Sequence, residues 1–158
     1  MEFNFIAILV AALVPMLLGF FWYGPLLFQN AWMKASGVTE ETIKSGNMAV
    51  IFGVSLLLAI LLSFFTQFLV VHEMGVYGMT EGQLEGETAK AFLAEWSGKY
   101  RSFGHGAIHG IMAGVMFVFP IIAIINLFER KPWKLTFINA GYWVIVLAIM
   151  GAIISGWV

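Results

Sequence analysis

The sequence predicts an all-α integral membrane protein: a bundle of four transmembrane helices, with short interfacial helices in the first and second connections. Three observations predict it. All seventeen charged residues lie outside four apolar runs, Phe3–Tyr23, Met48–Val71, Phe103–Phe128 and Leu135–Val158. Each run holds 21 to 26 residues, and a helix rising about 1.5 Å per residue needs roughly 20 to cross a hydrocarbon core of about 30 Å. The runs are also continuously apolar rather than alternating, which sets aside the strands of a membrane barrel. Helices and closed barrels are the two structures that satisfy backbone hydrogen bonds in lipid.

Composition narrows the function classes. The chain is 61% hydrophobic and 11% charged, against about 25% charged in soluble domains. Its 158 residues are read as a single transmembrane domain, 1–158, because the longest stretch between spans is too short for a core of its own. A net charge of -1 offers no basic patch for phosphates, so a nucleic-acid partner is not expected. Cysteine is absent, which removes disulfides, thiolate metal sites and cysteine nucleophiles. The first run carries an acid before it and no Lys or Arg, and it exceeds the length of a signal h-region, so it reads as a retained transmembrane helix.

Taken in order, Pro15 lies mid-way through span one, where its missing N–H and its ring predict a kink, and Gly19 one turn later leaves room for a neighbour. Trp22-Tyr23 belongs to an interfacial aromatic belt and Gly24-Pro25 stops the helix. Leu27/Ala31 and Phe28/Trp32 pair at i, i+4 in a short amphipathic helix ended by Gly37, and Thr39 caps another short turn through Glu40, Glu41 and Ile43. The second connection holds Glu73, Glu81, Glu85, Glu87 and Glu95; Thr80-x-x-Gln83 has the form of a capping box. Phe92, Trp96 and Tyr100 recur every four residues and predict a helix with one aromatic face. Glu129–Lys134 is a tight hairpin joining spans three and four. Connections one and three carry five of the eight Lys and Arg, which favours the cytoplasm for them and the outside for both termini.

Three groups of residues are candidates for a role. Gly106, Gly110 and Gly114 form an uninterrupted G-x-x-x-G-x-x-x-G groove for close helix packing, either in a homo-oligomer or against the chain's own spans. Span four offers a matching small face at Ala148, Ala152 and Ser155, beside Gly151 and Gly156. On an adjacent face of span three, His105, His109, Met112 and Met116 form a stripe. His72-Glu73 ends span two on the same membrane side, so all three histidines and Glu73 can converge as a transition-metal site, with thioethers suiting a soft ion. A haem between histidines of two spans is a further option, and interfacial hydrogen bonding the plain one. At the opposite side, Trp22, Tyr23, Glu129, Arg130, Asn139 and Tyr142 make a polar cluster, read as a clamp between spans one and four or as a pocket for a headgroup or small solute.

Enzymatic motifs are absent: no phosphate loop with Lys, no G-x-S-x-G, no HExxH, and no Asp anywhere. No acid lies within a span, so a proton-coupled carboxylate of the small multidrug exporters has no counterpart.

Gly19-Phe20-Phe21-Trp22-Tyr23-Gly24-Pro25-Leu26-Leu27-Phe28 followed by Ala31-Trp32-Met33 resembles the opening signature of the domain of unknown function 1761 family, small bacterial membrane proteins. So do Leu127-Phe128-Glu129, Ile138-Asn139-Ala140-Gly141-Tyr142 and Met150-Gly151-Ala152-Ile153-Ile154. The resemblance covers spans one and four well, and spans two and three mainly by hydropathy. It implies a four-helix integral membrane protein of a bacterial inner membrane with no assigned activity. The family's pattern often has a Ser after the Trp-Tyr pair and a His after Asn-Ala-Gly-Tyr; here those positions are Gly24 and Trp143, and the His105/His109 pair is not part of that signature. Two function classes follow from the residues: a non-enzymatic helix-packing module that self-associates or joins a membrane assembly, and a small-solute or metal-ion binding or transport protein using the histidines.

Overall fold

The computed structural model describes residues 3–158, all of whose regular structure is helical. Span one is two helices, α1 (Phe5–Ala12) and α2 (Val14–Trp22), broken at Leu13. Pro15 falls in the first turn of α2, where a missing N–H is tolerated, so the bend predicted at Pro15 begins just before it. In the first connection, α3 (Gln29–Ser36) ends on Gly37 at φ +84°, a left-handed cap that suits glycine, and α4 (Glu40–Ser45) starts on Thr39, whose hydroxyl accepts the Thr42 N–H. Span two is α5 (Met48–Val70).

The second connection departs from expectation in two places. Thr80 does not open a helix: it follows α6 (Glu73–Met79), and its hydroxyl donates back to the Val76 carbonyl. The next helix, α7 (Glu87–Trp96), starts at Gly86 instead and stops before Tyr100. A Ser97 backbone in the β region ends it, so Phe92 and Trp96 share a helix and Tyr100 sits in a separate turn.

Span three also differs from the continuous helix expected. It runs as α8 (Phe103–Ala113), a π-helical turn at Gly114–Val118 and α9 (Phe119–Phe128). Pro120 explains the break, because it has no N–H for the carbonyl one turn back and its ring would crowd it; the wider turn relieves this, with Phe119 N–H reaching the Gly114 carbonyl. Span four is α10 (Trp133–Gly156), beginning two residues before its apolar run. These four segments are each long and apolar enough to cross a membrane, so the chain is a multi-pass membrane protein. Connection two and both ends of the described chain lie on one side, where Asn4 Nδ2 donates to the Trp157 carbonyl at 3.1 Å; connections one and three lie on the other.

Span four is the hub. It carries most of the core, including Tyr142, Val146, Met150 and Ile154, and it packs on spans one, two and three. Burial of apolar groups gives little drive inside lipid, whose tails are as apolar as Leu, so close contact and hydrogen bonds decide the packing. Close contact is extreme on the α8–α10 seam. A Cβ on Gly106 would meet the Gly151 carbonyl oxygen, one on Gly110 the Leu147 carbonyl oxygen, and one on Gly114 the Val144 Cα. The glycine groove is therefore filled by the chain's own fourth span. Two buried polar contacts pin the bundle: Ser63 Oγ donates to the Ile8 carbonyl at 2.7 Å, and Asn126 Nδ2 to Thr136 Oγ1 at 2.9 Å.

Gly110→Leu should therefore separate α8 from α10. We expect a loss of about 3 kcal/mol or more, since backbone cannot yield to the added side chain, read as a fall in the thermal midpoint in detergent. Gly104→Leu, at a position open to its surroundings, should shift the midpoint little; an equal effect of both would refute the packing argument.

Candidate functional site

At the side of connection two, α5 ends at Val70, and the chain bends through Val71 and His72 into α6. That bend places the His72 ring over the first turns of α8. Ser102 caps α8 by accepting the His105 N–H at 3.2 Å, and His109 follows one turn later on the same face. The seam with α10 fixes α8 in turn, so the positions of His105 and His109 are set by backbone contact.

The three rings converge. His72 Nε2 lies 3.1 Å from His105 Nε2 and 3.3 Å from His109 Nε2, and ligand atoms of all three lie within 4.8 Å of one another. Tyr100 packs beside them, its ring centroid 5.2 Å from that of His72 and 5.3 Å from that of His105. His72 is exposed and the other two are half-buried, so the group is open to the interface.

An imidazole nitrogen carries either one hydrogen or one free lone pair. His72 Nε2 makes two contacts through that single site, so no proton assignment gives each contact its own donor and acceptor. A cation shared by three lone pairs satisfies all of them together. The spacing agrees: two nitrogens each about 2.0–2.1 Å from a tetrahedral zinc-class ion lie about 3.3–3.4 Å apart. The residues can hold a transition metal. They cannot sandwich a haem, because nitrogens 3.1 Å apart leave no space for a porphyrin plane between them.

Glu73 does not join the histidines. Its Oε1 accepts the Gly98 N–H at 2.8 Å and the Ser97 hydroxyl at 3.3 Å, tying down the turn after α7. Burial alone would raise the Glu73 carboxyl, but the N–H groups of Gly98 and of Glu73 itself, the Arg101 charge and the Ser97 hydroxyl outweigh it and hold it below its ordinary value. Glu73 thus works as a brace. Nor do the thioethers join: Met112 and Met116 are 48% and 65% exposed and face outward, so the ligand set is imidazole alone. Arg101, unremarked in the sequence, donates through Nε to the Ser155 carbonyl at 2.9 Å and through its terminal nitrogen to the Ile154 carbonyl at 3.2 Å. It caps the C-terminal end of α10, where a cation suits the helix dipole. Cation-at-helix-end is a pattern visible only once the end of α10 and the turn at Arg101 are known to meet.

The opposite polar group is assembled in part. Trp22 Nε1 donates to the Ile138 carbonyl at 3.0 Å, Tyr23 donates to Asn139 Oδ1 at 3.1 Å, and Tyr142 donates to the Pro15 carbonyl at 2.6 Å. These bonds span the gap between spans one and four. Gly19 makes the approach possible, with the Tyr142 oxygen 3.4 Å from where its Cβ would stand. Glu129 and Arg130 are exposed in the hairpin, and among the described residues neither bonds to the clamp.

The signature residues of spans one and four thus meet face to face. The profile of the DUF1761 family, described as proteins of unknown function, matches residues 6–155. The chain belongs to this family. No curated protein and no solved structure matches it. In this DUF1761 protein, the clamp is built from the signature positions Trp22, Tyr23, Asn139 and Tyr142, whereas the imidazole group is built outside them, on spans two and three.

The clamp gives a prediction. Tyr142→Phe should cost about 1 kcal/mol by leaving the Pro15 carbonyl without its donor, while Glu129→Ala and Arg130→Ala should stay within about 0.5 kcal/mol. Thermal unfolding in a mild detergent measures both; hairpin variants as damaging as Tyr142→Phe would place those residues in the clamp after all.

Proposed function

We propose that this protein is a membrane-embedded binding protein for a transition-metal ion of the zinc or copper class, held by His72, His105 and His109. The observation that carries this reading is the convergence of all the histidines of the chain through one shared nitrogen, His72 Nε2. Imidazole suits zinc, copper, nickel and iron, and the absence of any carboxylate or thioether from the set favours borderline divalent ions over calcium or magnesium. Three protein ligands leave a fourth position for water or an incoming group, as in exchangeable rather than closed structural sites. Following the Lys/Arg asymmetry, connections one and three face the cytoplasm of a bacterial inner membrane, so the ion is met at the outer face. Binding is the function the imidazole group supports: past His109 span three continues with Met112 and Met116 turned outward, and of the buried polar residues of span two, Ser63 and Thr66 donate to the backbone carbonyls of Ile8 and Leu62. Self-association through the glycine groove has no surface left to use, since span four fills it.

Titration of the purified full-length protein with zinc and with copper, followed by elemental analysis after desalting, tests the reading. One equivalent should remain bound per chain. His72→Ala should weaken binding by more than the roughly 10–100-fold that loss of an orienting partner costs, and Glu73→Gln should keep the stoichiometry at one. Failure to retain either ion, or retention unchanged in His72→Ala, sinks the proposal.

A further inference from the structure

The cytoplasm-facing end of the bundle, by the orientation above, carries a second feature unconnected with the histidines. The buried residues of α5 are Ala59, Ser63, Thr66, Gln67 and Val70, all in its second half. Its first half, from Met48 to Leu58, has no buried residue. Span two therefore leans away from the bundle toward connection one and leaves a cleft facing lipid. Two adjoining cavities of about 470 and 670 Å³ occupy it and share Tyr23, Ile51, Phe52 and Trp143 as walls. Both are in the size range of small-ligand pockets, about 300–1,000 Å³.

The cleft is mainly apolar, with the Ser55 hydroxyl in its narrower part and a pair of side-chain N–H groups in its wider part. Asn139 and Trp143 stand one turn apart on α10, and both line the wider cavity. Asn139 Oδ1 is taken by Tyr23, but among the described residues its amide nitrogen has no partner, and neither has the indole N–H of Trp143. An indole can only donate, and a donor without a partner at membrane depth is costly. The cleft thus offers hydrogens to an oxygen acceptor sitting above an apolar tail. The charge at its mouth has a sign. Connections one and three carry Lys34, Lys44, Arg130, Lys131 and Lys134 against Glu40, Glu41 and Glu129. Lys44 pairs with Glu40 and Lys131 Nζ donates to the Ser36 carbonyl, while Lys34, Arg130 and Lys134 have no acidic partner among the described residues.

We infer that this cleft is a binding site for one anionic phospholipid. An acyl chain lies along Phe52, Leu58 and Leu62, an ester oxygen takes the N–H groups of Asn139 and Trp143, and the phosphate faces the free cations of the connections. Juxtamembrane cations near an anionic headgroup act in the same direction. This site shares no residue with the metal centre and stands whether or not a metal binds.

The test uses the full chain in vesicles of equal parts phosphatidylglycerol and phosphatidylcholine, extracted into mild detergent and weighed by native mass spectrometry. The expected spectrum shows one phosphatidylglycerol retained per chain through detergent washing. Ser55→Phe, which fills the cleft from the exposed side of α5, should reduce that retention roughly tenfold or more, as one methylene can already do in an apolar pocket; Leu57→Phe, outside the cleft, should not. If Ser55→Phe does not fold, Lys134→Glu at the mouth should shift retention from phosphatidylglycerol to phosphatidylcholine. Loss of all lipid from the wild type, equal retention of the two lipids, or a dimer that Ser55→Phe dissociates would each overturn the inference, the last by assigning the cleft to a second copy.

Discussion

At Gly106, Gly110 and Gly114 the backbone of span three lies directly on that of span four, and the rest of the bundle is positioned by that contact. Within lipid there is no general drive to bury apolar surface, so helices hold together where their backbones come close enough for many short contacts. Glycine at every fourth residue allows this along the first turns of span three. The consequence reaches both ends of the seam. It sets His105 and His109 on the neighbouring face of α8, level with the bend at His72, and it brings the turn before α8 onto the last carbonyls of α10, where Arg101 and Ser155 lock it.

Much of this was legible in the sequence, and the reason is physical. Charge cannot sit in hydrocarbon, so the spans announce themselves, and helix stops such as Gly37 and N-caps such as Thr39 act through their own neighbours. The convergence of the histidines was legible as well, because topology alone puts His72 and the start of span three on one membrane side. What was not legible depended on contacts between distant residues. Nothing local says that Glu73 will turn from the histidines to the Gly98 amide, or that Asn126 will find Thr136 across the hairpin of connection three. The π-helical turn had a local signal in Pro120, which has no N–H to continue the ladder and sits just beyond the widened turn.

The aromatic stripe of connection two shows the limit of periodicity. Phe92, Trp96 and Tyr100 share a spacing, yet the helix ends at Trp96 because the Ser97 backbone leaves the α region and Glu73 captures the amide after it. A carboxylate on another element decides where that helix stops. Tyr100 is thereby released to pack on His72 and His105. A residue expected on the aromatic face of a helix becomes part of the wall of the imidazole group.

The two ends of the bundle differ in how their polar groups are used, and that difference separates support from function. In the clamp, the donors of Trp22, Tyr23 and Tyr142 each have one acceptor at a normal distance. Such bonds fix spans one and four and would be neither improved nor altered by a ligand. The imidazoles are different in kind: three nitrogens press on one another where at most one hydrogen can lie between any two, and each additional hydrogen would worsen the fit of the third. The arrangement is not hidden in the core, since His72 is exposed and the other two rings are half-buried. The geometry is uneconomical for a hydrogen-bonded surface and well matched to a shared cation, which is why the metal reading rests on nitrogens whose protons do not add up.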